Sequence, residues 1–265
     1  MVKFSNQYFR IFPFVKHSVT LQVAKTARDA FEAAKQFGSF TKNLSGLSTE
    51  ALKTTLPDFH NLDFRYGQFQ QALKQGNQDR IHETTEVIHF LQTHASIVFD
   101  YRKIKVSKAF KQRVTHHDTK ISNVLFDTNG LGLCVIDLDT VMPGYFISDI
   151  GDMMRTYLSP VSEEEKDFSK IEIREDFFRG IVEGYLQEMF TELTKEEIEH
   201  FVYSGFFMTY MQALRFLTDY LNNDEYYGSA YEGQNLVRAK NQVVLLEQLF
   251  AKEKRLKQIV SDSQS

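Results

Sequence analysis

Residues Val114 to Asp152 read VTHHDTKISNVLFDTNGLGLCVIDLDTVMPGYFISDIGD, and this stretch decides the fold. His116, Asp118 and Asn123 form H-x-D-x-x-x-x-N. The segment Asn123 to Asp127 is predicted as a strand, Asp127 to Gly130 as a turn, and Leu133 to Leu138 as a second strand. Asn-Gly between two apolar runs is a strong hairpin signal, because both residues tolerate positive φ. The second strand ends in Asp137-Leu138-Asp139. A hairpin places Asn123 and Asp137 near one another at its open end. An amide oxygen beside a carboxylate suits a hard divalent cation such as magnesium bound to nucleotide phosphates.

Working outward, the chain is 265 residues long, enough for one large domain or two small ones. No repeat, low-complexity tract or linker divides it. Net charge is −4, so no global basic surface invites nucleic acid or anionic membrane. The single cysteine, Cys134, stands in an apolar run, which excludes an intrachain disulfide and fits a reducing, cytoplasmic compartment. The first residues carry Arg10 and Pro13 within an apolar phrase, with no signal peptide and no membrane span.

Ser18 to Phe37 repeats apolar residues at helical spacing, with Ser18 or Thr20 as N-cap and Gly38 as stop. Ser48 to Leu56 is weakly helical. Glu83 to Tyr101 is predicted as one helix with Val87, Leu91, Ala95, Val98 and Phe99 inward, followed by a basic connector to Arg113. His60 and Arg65 stand beside aromatics and are expected to pack structurally. Asp149 and Asp152 are candidate helix caps. Ser159 to Lys170 is expected to be a mobile acidic surface loop. Arg174 to Met189 reads as a helix, and Thr194 to Glu197 as a capping box opening the central core helix to about Leu221. Arg215 and Asp219 lie one turn apart and are placed to pair. Asn235 to Ile259 is a closing helix, with a frayed tail beyond it.

The wording HHDTKISNVLF, VIDLDTVMPG and DIGDMMR resembles the catalytic segment of the kinase-like phosphotransferases, the superfamily of aminoglycoside and choline kinases. Within that group it is most similar to N-acetylhexosamine 1-kinases. The resemblance implies an α+β, mostly helical fold: the C-terminal lobe of a protein-kinase-like enzyme with a small catalytic β-hairpin. Residues 1–17 are then the last strand and hinge of a nucleotide-binding lobe, and 18–265 the phosphotransferase domain. ATP and Mg2+ are the implied cofactors and a small-molecule sugar the implied acceptor.

Under this resemblance Asp118 is the base and His116 supports the catalytic loop. Asn123 and Asp137 hold magnesium, and Asp139 adds a metal or substrate contact. Lys120 reaches the transferred phosphoryl group, and Arg215 and Tyr226 bind substrate. An aspartate similar to Asp149 or Asp152 braces the loop in such enzymes, an alternative to capping. His117 stands where Gly or Asn is common, and residues similar to His60 and Arg65 occur in the sugar kinases of this group, an alternative to packing. No G-x-G-x-x-G precedes a strand, and no V-A-I-K-like strand lysine is present. The expectation is a truncated gene product, or a chain whose first lobe is separately encoded, with activity alone reduced by orders of magnitude because phosphate positioning is lost. The alternatives are a non-catalytic sugar- or partner-binding module of kinase ancestry and, less favoured by the hairpin context, a metal-dependent hydrolase. A cationic acceptor such as choline asks for a more acidic pocket than the sequence displays.

Overall fold

The computed structural model describes residues 2–264. A short hairpin opens the chain, β1 (Val2–Phe4) with β2 (Gln7–Phe9), and an extended segment leads to β3 (Val19–Thr20). Helices follow: α1 (Ala27–Asn43), α2 (Leu62–Gln75), α3 (Gln78–Glu83), α4 (Thr85–Thr93) and α5 (Ser96–Val106). The central stretch carries β4 (Arg113–Thr115), β5 (Val124–Phe126), β6 (Gly132–Val135) and β7 (Met142–Gly144). The rest is α6 (Phe146–Tyr157), α7 (Glu175–Met189), α8 (Lys195–Glu199), α9 (Phe201–Leu221) and α10 (Gln234–Asp262). The architecture is α+β and mostly helical, as expected.

The hairpin forms where Asn-Gly foretold it. Val124 pairs with Val135 and Leu125 with Cys134, and the turn closes from Gly130 N–H to the Asp127 carbonyl at 3.1 Å. A third strand, β3, adds to β5 in antiparallel register, Val19 opposite Phe126. The other pair, β4 with β7, lies at the two ends of the stretch and closes it into a loop, Arg113 opposite Gly144. Arg113 is pinned from below by Glu197, with N···O distances of 2.6 and 2.9 Å in a buried bidentate pair.

The core is built on α9, whose Phe207, Met208, Tyr210, Met211, Leu214 and Leu217 are wholly buried. It is apolar round most of its circumference because α2, α6 and α10 pack on it from different sides. Among the described residues no helix is long and apolar enough to cross a membrane.

Several expectations change. The first helix begins at Ala27, capped by Thr26 in a capping box with Asp29, because Val19 and Thr20 are taken by the sheet. Gly38 does not stop it. A Cβ there would meet the Tyr185 carbonyl at 3.2 Å, and one on Gly184 the Phe31 carbonyl at 2.2 Å. These glycines let α1 and α7 lie almost backbone to backbone. The weak helix near Ser48 shrinks to one 3-10 turn at Thr49–Ala51. The helix predicted over Glu83 to Tyr101 is broken at Thr84 and again at His94–Ala95, and Phe99 faces outward. α5 extends to Val106, taking in the first half of the basic connector. The capping box at Thr194 starts only a short helix, and α9 opens after His200. The acidic loop is anchored rather than loose: Glu163 pairs with Arg155 at 2.6 Å and with Arg238, and Asn241 binds the Ser162 carbonyl at 3.1 Å. α10 runs to Asp262, so the first residues of the expected frayed tail are helical. Its last residue, Ser265, lies outside the described residues.

Candidate active site

The loop between β4 and β5 is held in shape by side chains from α6. The Asp149 carboxylate accepts the backbone N–H of His116 at 3.0 Å and of His117 at 2.8 Å. Asp152 accepts Thr119 N–H at 2.8 Å and is itself paired with Arg155 at 3.0 Å. The Thr119 hydroxyl donates to the Asp149 carbonyl at 2.8 Å, and Tyr157 Oη donates to the Thr119 carbonyl. Both aspartates lie inside α6, whose N-cap is Tyr145. They brace the loop and do not cap the helix. Burial raises the pKa of each above the ordinary carboxylate range, against the amide donors and, for Asp152, the Arg155 guanidinium.

His116 is wholly buried, edge-on to Phe37 at 5.1 Å. Its Nε2 faces the Ile136 carbonyl at 3.0 Å, and its Nδ1 accepts Asp118 N–H at 3.3 Å. One neutral tautomer satisfies both contacts, with the proton on Nε2. His116 is therefore a positioning residue that ties the loop to the hairpin; the ring is spent on holding Asp118.

His117 adopts φ +67°, the left-handed conformation that Gly or Asn takes more readily. The two amides held by Asp149 offset that strain. Its ring lies over Gly144, where a Cβ would come within 2.5 Å of Cε1. It meets His60 at 3.3 Å between Nδ1 atoms. Burial lowers the pKa of His117 to about 4, and burial followed by the charges of His117 and Arg215 lowers that of His60.

Asp118 itself is partly open. Its Oδ2 accepts Asn123 Nδ2 at 2.9 Å and pairs with Lys120 Nζ at 2.9 Å, while Oδ1 has no partner among the described residues. Asn123 directs both bonds from its Nδ2 to Asp118, at Oδ2 and at the backbone carbonyl 2.8 Å away, and its Oδ1 has no partner among the described residues. Asn123 O accepts Ile136 N–H at 2.9 Å, which sets Asn123 beside the start of Ile136-Asp137. Asp137 stands at φ +61°, exposed, without a hydrogen bond or ion pair among the described residues. Burial alone would lower the pKa of Lys120, but the carboxylates of Asp118, Asp137 and Asp152 hold it above its usual value. Asp139, expected to add a metal or substrate contact, lines the same cavity as Asp137. It is exposed and pairs with Arg10 at 2.8 Å across the mouth of this cavity of about 670 Å3, lined by Tyr8, Phe12, Val15, Val135 and Asp137.

The sequence pattern of the phosphotransferase enzyme family matches residues 3–188, more than half of the chain. The chain belongs to that family. This phosphotransferase is similar in fold to an aminoglycoside phosphotransferase from Alicyclobacillus acidocaldarius, at 12% identity and a TM-score of 0.58 over 89% of this chain and 67% of that one. An ethanolamine kinase from Plasmodium vivax aligns at 14% identity and a TM-score of 0.52, over 83% of this chain and 63% of that one. A choline kinase from Cryptosporidium parvum gives 14% and 0.52, over 91% and 70%. At these identities the likeness is one of fold. The chain spans about two thirds of the length of each.

A magnesium ion fits the phosphotransferase's donor set. Asn123 Oδ1 and the Asp137 carboxylate are hard oxygen donors left open, and no cluster of three or more His, Cys, Asp or Glu is present among the described residues. Two protein donors suit Mg2+, which keeps its other positions for phosphate oxygens and water.

The other side of the site joins α2 and α9. Arg215 Nη2 contacts Tyr226 Oη at 3.4 Å, so the two expected substrate residues do meet. Arg215 does not pair with Asp219. That carboxylate is filled by the N–H groups of Tyr226 at 2.7 Å and Tyr227 at 2.9 Å and by Asn235 Nδ2 at 3.1 Å. Arg65, expected to pack structurally, lines the same cavity as Arg215. The sequence favoured packing over a substrate role for Arg65, because its partner comes from far along the chain.

Proposed function

We propose that this phosphotransferase transfers the γ-phosphoryl group of ATP, with Mg2+, to a sugar hydroxyl, with N-acetylhexosamines as the acceptors to test first. The observation that carries this reading is Asp118. One carboxylate oxygen is locked by Asn123 and Lys120, and the other is open beside a free pair of metal donors. Bound at Asn123 and Asp137, magnesium would neutralise charge on the nucleotide phosphates. Asp118 Oδ1 accepts the hydrogen bond of the acceptor hydroxyl, aligns its oxygen, and takes its proton as the new O–P bond forms. Lys120, already in the field of these acids, contacts the phosphoryl oxygens as negative charge shifts. His116 and Asp149 act through the loop by holding Asp118 against rotation.

The reading extends to a partner lobe. Ile11 is 84% exposed and Phe14 85%, Phe4 is also exposed, and Phe12 is open in the lining of the large cavity. Exposed apolar residues of this kind suit a nucleotide-binding lobe that packs here and supplies the glycine-rich loop and lysine. The experiment is ATP binding by calorimetry and ADP release with N-acetylglucosamine and N-acetylgalactosamine, on the chain alone and with such a lobe. Turnover should fall roughly 10²–10⁴-fold in Asp118→Asn, the usual range for a lost acid–base group, with unchanged melting. Absence of both binding and turnover in every combination rejects the reading in favour of a non-catalytic module.

A further inference from the structure

Two arginines line one buried cavity, and among the described residues neither is paired with the carboxylate that lines it, Asp219. Arg65 is 9% exposed and Arg215 8%. Arg65 donates to Gln68 Oε1 at 3.0 Å and to the Phe59 carbonyl at 3.4 Å, and Arg215 to Gln212 Oε1 at 3.1 Å and Tyr226 Oη at 3.4 Å. Every one of these acceptors is neutral. The Nε of each is buried with no partner. Neither forms an ion pair among the described residues. The nearby carboxylates are committed elsewhere: Asp219 to the Tyr226, Tyr227 and Asn235 donors, and Asp58 to Asn61 Nδ2 at 2.7 Å. Desolvation, and then repulsion from Arg215, lower the pKa of Arg65.

A buried guanidinium without a counter-charge is costly, and two facing one cavity are costlier. The aromatic faces of Phe59 at 5.6 Å, Tyr227 at 5.3 Å and Tyr226 at 5.9 Å offset part of that for Arg215. They give nothing to the two Nε–H groups. Charges kept buried at such expense are the mark of a site whose counter-ion arrives with a ligand.

The cavity itself is about 90 Å3, room for one carboxylate or tetrahedral oxyanion but not for a whole sugar. A short relay of rings connects Arg215 to the loop that carries the base. Phe59 lies against Arg215 and stacks on His60 at 4.5 Å, and His60 meets His117, the neighbour of Asp118. We propose that Arg65 and Arg215 form an anion subsite, so that the acceptor is a sugar bearing a carboxylate, sulfate or phosphate group in addition to the hydroxyl that is phosphorylated. This deepens the proposed transfer and rests on it for the place of the reacting hydroxyl. Tyr226 and Phe59 provide the apolar faces for the ring between the two ends.

The test separates the subsite from the reaction. Sodium phosphate and sodium sulfate, each titrated at constant ionic strength, should raise the Tm of the chain saturably at millimolar concentration. Arg65→Met and Arg215→Met should abolish that rise. Without anion, the Arg65→Met protein should melt at or above the unsubstituted one, because a repelling buried charge is gone. A lower melting point in both single variants, or no saturable rise, overturns the subsite. In turnover, glucuronate, N-acetylglucosamine 6-sulfate and N-acetylglucosamine 6-phosphate should each be compared with N-acetylglucosamine. The preferred anionic acceptor should show a KM at least tenfold lower, and Arg65→Met should erase the difference; which acceptor wins identifies the oxyanion. Equal KM for neutral and anionic sugars defeats the subsite while leaving the transfer intact. Saturable anion binding with no turnover on any sugar keeps the subsite and defeats the transfer.

Discussion

The catalytic loop and the arginine cavity are both buried polar regions, and they are built on opposite principles. In the loop almost every donor has an acceptor. Asp149 takes two backbone N–H groups, Asp152 takes Thr119, and both ring nitrogens of His116 are used. In the cavity two cations face neutral acceptors and keep unpartnered N–H groups. A satisfied network fixes one geometry, and an unsatisfied one waits for a ligand to complete it. The loop therefore holds Asp118 before any substrate binds. The cavity spends stability in the free protein and regains it on binding.

The contrast is sharpest in the response to substitution. Asp149→Ala leaves two buried amides without acceptors, at about 1–3 kcal/mol each, so unfolding free energy should drop by about 2–6 kcal/mol. Urea denaturation measures it directly, and the urea slope should be unchanged. Arg65→Met in the absence of anion should lose nothing. If the two variants destabilise alike, the cavity is a packed structural network like the loop and the distinction collapses.

These two regions also differ in how far the sequence exposed them. The hairpin was legible because its signals are local: Asn129-Gly130 for the turn, short apolar runs for β5 and β6, and Asn123 and Asp137 at the ends. The acids of the loop were legible by spacing for the same reason. Asp149 and Asp152 were ambiguous, since an aspartate near a helix start reads as a cap until the loop is seen lying on it. Gly38 looked like a stop because only the neighbouring helix explains it, through the Tyr185 carbonyl. Arg65 was read as packing because one arginine beside aromatics usually is. Its meaning comes from Arg215, on a different helix and far away in the chain. Local turn chemistry is written in adjacent residues, while a charge pair is written only in the fold.

Between the loop and the cavity stands the His60–His117 contact, and pH probes it. The folded pKa of His117 is lowered to about 4 from 6.5, chiefly by burial. Between these values the unfolded chain binds a proton that the folded chain does not. The stability His117 retains above pH 6.5 is therefore lost as pH falls toward 4, by about 3 kcal/mol at 1.36 kcal/mol per unit. His60 acts in the same direction. Asp149 and Asp152 act in the opposite direction, because their raised pKa values let the folded state take up protons first. The four contributions overlap, so the pH profile of one protein does not separate them. His117→Asn does, since Asn accepts φ +67° and the carboxylates remain in both proteins. The stability difference between the unsubstituted protein and this variant should shift by about 3 kcal/mol in the variant's favour from pH 7 to pH 4. Relief of His60 from its charged neighbour adds to the shift with the same sign. A constant difference across that range would mean that the ring of His117 reaches water, and that the loop and the cavity communicate through solvent and not through two neutral imidazoles.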